Sequence, residues 1–290
     1  MAVKSDRLIL LSLVMLLSAV PSLAQQEDVF RKFAGTYVTG HEFGGGSLTL
    51  DSKGDFSDGS GSDDGTRVSS SGNYTLSEGL LRFVMVKETW KRGEGGKELN
   101  LLDPNDRKEA FGKLDSGETK KEFKMLPLEW SGRIYLLYEE DLKNFANAVN
   151  LGIEPRASLT SRYYISPWFG SFYLRSGDEQ KKATGKPPLP EPWLSFLLSK
   201  PISANVLSID EIVRAKWNMT FTATIDKGSR DGLKVGMKLL TSDEEPSPWG
   251  GTEVISVDEK TAKIRSQLAR SELKVGDKIS SKYQPKDIYR

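Results

Sequence analysis

The chain of 290 residues contains no cysteine and a single histidine, His41. Without cysteine there is no disulfide, no thiol nucleophile and no thiolate metal site, so the fold rests on burial. With one histidine, any triad, imidazole general base or histidine metal centre has to run through position 41. His41 stands beside Glu42 and ahead of Gly44-Gly45-Gly46, and no G-x-S-x-G nucleophile motif accompanies it, which favours a turn histidine before a strand over a catalytic base. Excess charge of either sign is also missing: 41 basic side chains face 40 acidic ones. A neutral balance argues against a general binder of nucleic acid or anionic membrane, because both need a strong positive field. Beyond the first two dozen residues, no apolar run approaches the roughly 20 residues of a spanning helix.

That first stretch has the three parts of a secretory signal peptide: Lys4 and Arg7, an apolar core over 8–17, and Pro21-Ser22-Leu23-Ala24 before Gln25. Cleavage after Ala24 is expected, leaving a periplasmic or extracellular chain with no membrane span. Roughly 265 residues then remain, enough for one large or two modest cores.

From Phe33 to about Val86, short alternating runs separated by turn residues predict antiparallel hairpins. Leu48 and Leu50 share a face before the Asp51-Ser52-Lys53-Gly54 turn, and Leu81, Phe83 and Met85 share another after Glu78-Gly79. The hydrophilic tract 57–71 is expected as a long hairpin tip, with one polar strand as the alternative. Residues 87–124 are dominated by charge and receive no assignment. A strand is expected over 129–138. A helix near 139–151 follows, with Glu139-Glu140-Asp141 in its first turn and Leu142, Phe145, Ala146 and Val149 on one face. The prolines of 185–192 enforce extended chain, and 193–198 can make one or two helical turns.

Near the C-terminus one phrase occurs twice. Leu233-Lys234-Val235-Gly236-Met237-Lys238-Leu239 returns forty residues later as Leu273-Lys274-Val275-Gly276-Asp277-Lys278-Ile279. Each copy sets a glycine between an apolar pair and a new alternating run, a sharp turn into a strand. Strands are expected at 219–225, 237–241, 253–257, 262–266 and 278–282, and five short strands hide their edges most easily by curling into a barrel. The expected fold is therefore mainly β with a little α. Residues 25–200 form an antiparallel meander, as a half-barrel or lipocalin-like domain with one amphipathic helix, 201–212 a linker and 213–290 a small barrel.

The stretch from Thr224 to Met237, with Val254-Ile255-Ser256-Val257 and the second glycine phrase, resembles the small β-barrel modules of the rod-shape protein MreC and of the C-terminal domain of flagellar assembly protein T. That resemblance implies an assembly or interaction domain, although the coiled coil and retained anchor of MreC are missing. Gly35-Thr36-Tyr37, Leu48-Thr49-Leu50-Asp51, Gly54-x-Phe56 and Gly72-x-Tyr74 are similar to phrases of lipocalin-like meander domains. The whole arrangement resembles uncharacterised exported bacterial proteins, a likeness that transfers no activity.

Three further features are candidate sites. Asp51, Asp55, Asp58, Asp63 and Asp64 among glycines suit calcium in ligand type but lack EF-hand spacing, and solvated turns explain them equally. Gly93-Glu94-Gly95-Gly96-Lys97 lacks the spacing and hydroxyl residue of a phosphate loop. Trp130, Tyr135, Tyr138, Tyr163, Tyr164, Trp168, Phe169, Phe172 and Tyr173 could line a ligand or glycan groove, or simply fill a core. No catalytic, cofactor-binding or metal-ligating residue is assigned. The expectation is an exported, non-enzymatic binding or assembly protein of the bacterial cell envelope, partnered by another envelope protein. The alternative is a carrier of a small apolar ligand in the N-terminal domain, and a hydrolase using acidic residues is least favoured.

Overall fold

The computed structural model describes residues 23–41, 44–112, 121–153, 155, 172–216, 219–241, 251–268 and 272–283. Helix α1 (Leu23–Phe33) leads into β1 (Gly35–His41), β2 (Gly44–Leu50), β3 (Asp55–Ser62), β4 (Thr66–Ser77) and β5 (Leu80–Arg92). Short strand β6 (Glu98–Asn100) and helix α2 (Pro104–Phe111) interrupt the run before β7 (Glu122–Trp130) and β8 (Arg133–Leu137). Helix α3 (Leu142–Asn150), preceded by a 3-10 turn at Glu139–Asp141, comes before β9 (Tyr173–Arg175). Each main strand lies antiparallel to the next, and β9 returns to pair with β1, so eight strands close completely while β6 hangs on β5. The meander is thus a full barrel, not a half-barrel.

Alternation explains the closure. Leu48 and Leu50, Phe56, Tyr74, Leu81 and Phe83, Met125, Ile134 and Leu136 all turn inward and are buried. Two-residue turns at Glu78-Gly79 and Ser131-Gly132 have positive φ at both positions, the primed geometry whose twist matches a hairpin. Phe83 and Phe123 stack with centroids 4.5 Å apart in the interior, and Phe56 meets Phe83 edge-on at 5.2 Å. Helix α1 plugs the end of the barrel bearing these turns. Phe33 is buried there, Tyr37 donates its hydroxyl to Phe33 O at 2.8 Å, and Phe30 packs edge-on against Tyr74 at 5.1 Å.

The outer face of β7 to β9 is apolar too, because it meets α3. Phe145 contacts Tyr135 and Phe172 at 5.2 Å each, and Trp130 at 6.2 Å. The opposite side of the helix carries fully buried Asn147, whose amide donates to Gly236 O at 3.1 Å and accepts from Lys238 N–H at 2.8 Å. Asn150 likewise bonds Phe196 O and Leu198 N–H in the segment around α4 (Trp193–Phe196). One hydrophobic core therefore runs from the outer wall of the first barrel through α3 into the second.

The second barrel comprises β10 (Ser203–Arg214), β11 (Met219–Ile225), β12 (Lys238–Thr241), β13 (Gly251–Val257), β14 (Ala262–Leu268) and β15 (Lys278–Ser280), closed in the order β10-β11-β14-β13-β12-β15. Exchanging β10-β11-β12 for β13-β14-β15 reproduces that order, so the barrel has an internal two-fold. The backbone repeats it. Gly236 N–H donates to Val254 O and Val254 N–H to Met237 O, while Gly276 N–H donates to Val206 O and Val206 N–H to Asp277 O. The twice-used glycine phrase is the footprint of this symmetry. A second footprint is Val206-Leu207-Ser208-Ile209-Asp210 against Val254-Ile255-Ser256-Val257-Asp258, with a bulge after each leading valine.

Several expectations change. Residues 201–212 are not a linker, because β10 pairs with both β11 and β15 and supplies a sixth strand. The tract 57–71 is no hairpin tip but the paired walls of β3 and β4, with the reversal confined to 62–66. Residues 87–124, left unassigned, contribute the end of β5, β6, α2 and the start of β7. The expected signal peptide lies outside the described residues apart from Leu23 and Ala24, which begin α1.

Candidate functional site

Above the packed aromatic floor, at the end opposite α1, the composition of the barrel wall changes. Gly46 of β2 holds an inward position of the kind Leu48 and Leu50 fill lower down, and a cavity of about 240 Å³ opens beside it at the barrel mouth. Thr39, Ser60, Ser62, Thr66 and Tyr173 line it, with Val68 as an apolar patch, and the hydroxyls of Ser62 and Thr66 are held by Asp64. A Cβ built on Gly46 would stand 3.5 Å from the Tyr173 hydroxyl, so glycine there is what keeps the opening.

Asp58 lies one inward step below Ser60, on the side of β3 that faces the interior with Phe56. Register places Leu48 beside it on β2 and buried Ser70 on β4, and Ser70 in turn faces Glu88 on β5. Its Oδ1 is buried with no hydrogen-bond partner among the described residues. Burial pushes the carboxyl up to about 6; the Gly59 N–H opposes that shift, and the nearby Glu88 charge adds to it. Glu88 is itself raised by burial, with Arg107 opposing. The hydroxyls of Tyr138 and Tyr173 are raised as well, by burial first and then by the Asp58 charge.

Asp178, the buried carboxylate at the other end, shows what satisfaction looks like. It accepts from Ile134 N–H at 2.9 Å, from Lys181 at 2.6 Å and from Arg175 at 3.2 Å. Burial works to raise its pKa, yet these donors hold it below the usual carboxylate value. Asp58 has no such set. A buried acceptor without a donor costs about 1–3 kcal/mol, and more when charged, unless something else supplies the bond.

The sequence candidates distribute unevenly around this site. Of the acidic tract, Asp51 caps its own turn through Lys53 and Asp55 N–H, Asp64 caps the next through Ser62 and Thr66, and Asp55 accepts from Asn73 at 2.5 Å. Among the described residues no cluster of three or more metal-ligating side chains exists. His41 ends β1 opposite Gly44. The aromatic set divides: Trp130, Tyr135 and Phe172 form the outer contact with α3, whereas Tyr138 and Tyr173 enter the barrel. Tyr163, Tyr164, Trp168 and Phe169 lie outside the described residues. The inward role of Asp58 went unrecognised, although its spacing of two from Phe56 is the available signal.

Fold and site together define a class: two closed antiparallel barrels locked by a shared helix, one with a polar cavity at its mouth and, one inward step below, a carboxylate oxygen buried without a donor among the described residues. No family model, curated protein or solved structure matches the chain.

Proposed function

We propose that the chain is an exported, non-enzymatic binding protein of the bacterial cell envelope, holding one small ligand at the mouth of its first barrel. The observation that carries this is the buried Oδ1 of Asp58, left without a donor beneath an open, hydroxyl-lined cavity. Such an arrangement is costly to an empty fold, and a ligand that brings the donor relieves that cost. Interior packing turns the ligand from apolar to polar: Phe56, Tyr74, Phe83 and Met125 fill the lower barrel, where an apolar carrier would keep its space. The second barrel is the part that meets an envelope partner. In its favour are the exposed Val235 and Val275, which occupy equivalent tips of the two glycine phrases. Native mass spectrometry of the protein purified gently from the cells that make it tests the reading. A mass excess of a few hundred daltons, lost on denaturation, is the expected result; a bare polypeptide mass in every charge state contradicts it.

A further inference from the structure

We propose that the second glycine phrase, Lys274 to Lys278, is the docking site for a helix of a partner protein, one that carries an acidic side chain and, four residues later, an asparagine or glutamine. The inference rests on the partner-facing role of the second barrel argued above and adds the surface and the kind of partner. The internal two-fold supplies the template, because one of the two equivalent sites is occupied within the chain. At the first phrase α3 lies across Gly236, which is buried. Asn147 donates to Gly236 O at 3.1 Å, and Lys143, four residues earlier, donates to Glu253 at 3.0 Å with its Cε 2.5 Å from where a Cβ of Gly236 would stand. At the second phrase the equivalent glycine, Gly276, is exposed, with nothing within 4 Å of a Cβ built on it. Val275 and Leu207 adjoin Gly276 and the Val206 carbonyl that it bonds, and they are 64% and 50% exposed. Ile255, which corresponds to Leu207, is partly buried.

The differences between the two copies fix the chemistry of the occupant. Lys238 and Glu253 face each other across β12 and β13, and Glu253 takes both Lys238, at 2.8 Å, and Lys143. The corresponding pair across β15 and β10 is Lys278 and Asn205, and the Asn205 amide is committed to Asp226 at 2.7 Å. The carboxylate that draws Lys143 to the first site is thus a neutral group at the second, where Lys278 stands exposed. A helix laid over Lys278 has to bring an acid, because covering a charge without its counter-charge is costly. The shared backbone pattern gives Gly276 O the outward aim of Gly236 O, which suits an amide donor one turn along, on the same helix face. Leu207 and Val275 add an apolar patch for the rest of that face. A second copy of this chain does not supply α3 for the purpose, since Asn147 is already fully buried in its own interface.

The test follows the amide chemical shifts of the full, isotopically labelled chain during titration with a helix-stapled peptide of residues 139–152 carrying Lys143→Glu. Shifts should gather at Val275, Gly276 and Lys278. The same peptide with its native Lys143 should bind about 10-fold more weakly, the scale of one charge-assisted hydrogen bond. Lys278→Glu in the protein should reverse that preference. Val275→Asp should abolish binding, whereas Val235→Asp, at the equivalent exposed tip of the occupied copy, should leave it intact. Silence of residues 275–278 at millimolar peptide, a preference that survives Lys278→Glu, or binding indifferent to Val275→Asp would each overturn the proposal. Shifts confined to the first phrase would overturn it too, while keeping the second barrel as a partner-facing part. The ligand of the first barrel, tested by native mass, is untouched by any of these results.

Discussion

Asp58→Asn should make the ligand-free protein more stable at neutral pH, although it replaces a native side chain in the barrel. The carboxyl of Asp58 is raised from an ordinary 3.8 to about 6, chiefly by burial. Below about pH 4 the group is neutral both folded and unfolded and costs nothing. Between about pH 4 and 6 the unfolded chain has released its proton while the folded chain still holds it, so stability falls as pH rises through that window and levels off above about 6. A displacement of about two pH units corresponds to about 3 kcal/mol, an upper limit because the side chain retains some exposure. Asparagine keeps the shape and carries no charge. The variant should therefore gain up to about 3 kcal/mol at pH 7.5 and almost nothing at pH 4, a melting temperature higher by about 6–12 °C at the upper pH for a chain of this size. Calorimetric melts of wild type and variant, both refolded from denaturant to strip ligand, measure this between pH 4 and 7.5. A variant less stable than wild type at pH 7.5, or a difference independent of pH, would refute the account of an unpaired buried charge.

Gly46→Val should leave the melting temperature nearly unchanged while abolishing ligand retention, since its Cβ meets neighbours at ordinary contact distances of 3.4–3.5 Å; a large loss of stability would show the cavity to be structural. Asn147→Ala strips Gly236 O and Lys238 N–H of their buried partner, and unfolding in denaturant should show a loss of about 3 kcal/mol. A loss below about 0.5 kcal/mol would mean that α3 does not lock the barrels. In the second barrel, a Cβ on Gly228 would lie 2.5 Å from Asp258 O, whereas Gly276 faces open space and bears only the strain of φ +90°. Gly228→Ala should accordingly destabilise more than Gly276→Ala, whose cost is about 1–2 kcal/mol; the reverse order in thermal melts would contradict the packing described.

The mainly β character was legible because Leu48, Leu50, Leu81 and Phe83 alternate with polar residues, and turn pairs such as Glu78-Gly79 announce themselves. Helix α3 was legible from its spacing, though not its position between two barrels, which depends on the outer face of β7 to β9. Strands β3 and β4 were obscured by Gly, Ser and Asp, because above Phe56 their inward side lines a polar cavity and their outward side meets water. No apolar alternation survives in such a strand. The same circumstance concealed Asp58, one aspartate among several until register turned it inward. Strand β10 was missed because Leu207, Ile212 and Val213 are exposed apolar residues that blur its alternation. The internal two-fold was half visible: its glycine phrases are 40 residues apart but its valine phrases 48, and unequal spacing breaks a simple repeat.

The most direct test of a ligand acceptor at Asp58 is a high-resolution crystal structure of the protein isolated with whatever it carries. The account predicts non-protein density in the mouth of the first barrel, with a donor atom within hydrogen-bond distance of Asp58 Oδ1. A hydroxyl of Tyr138 or Tyr173 turned onto that oxygen, with only water above it, would contradict it.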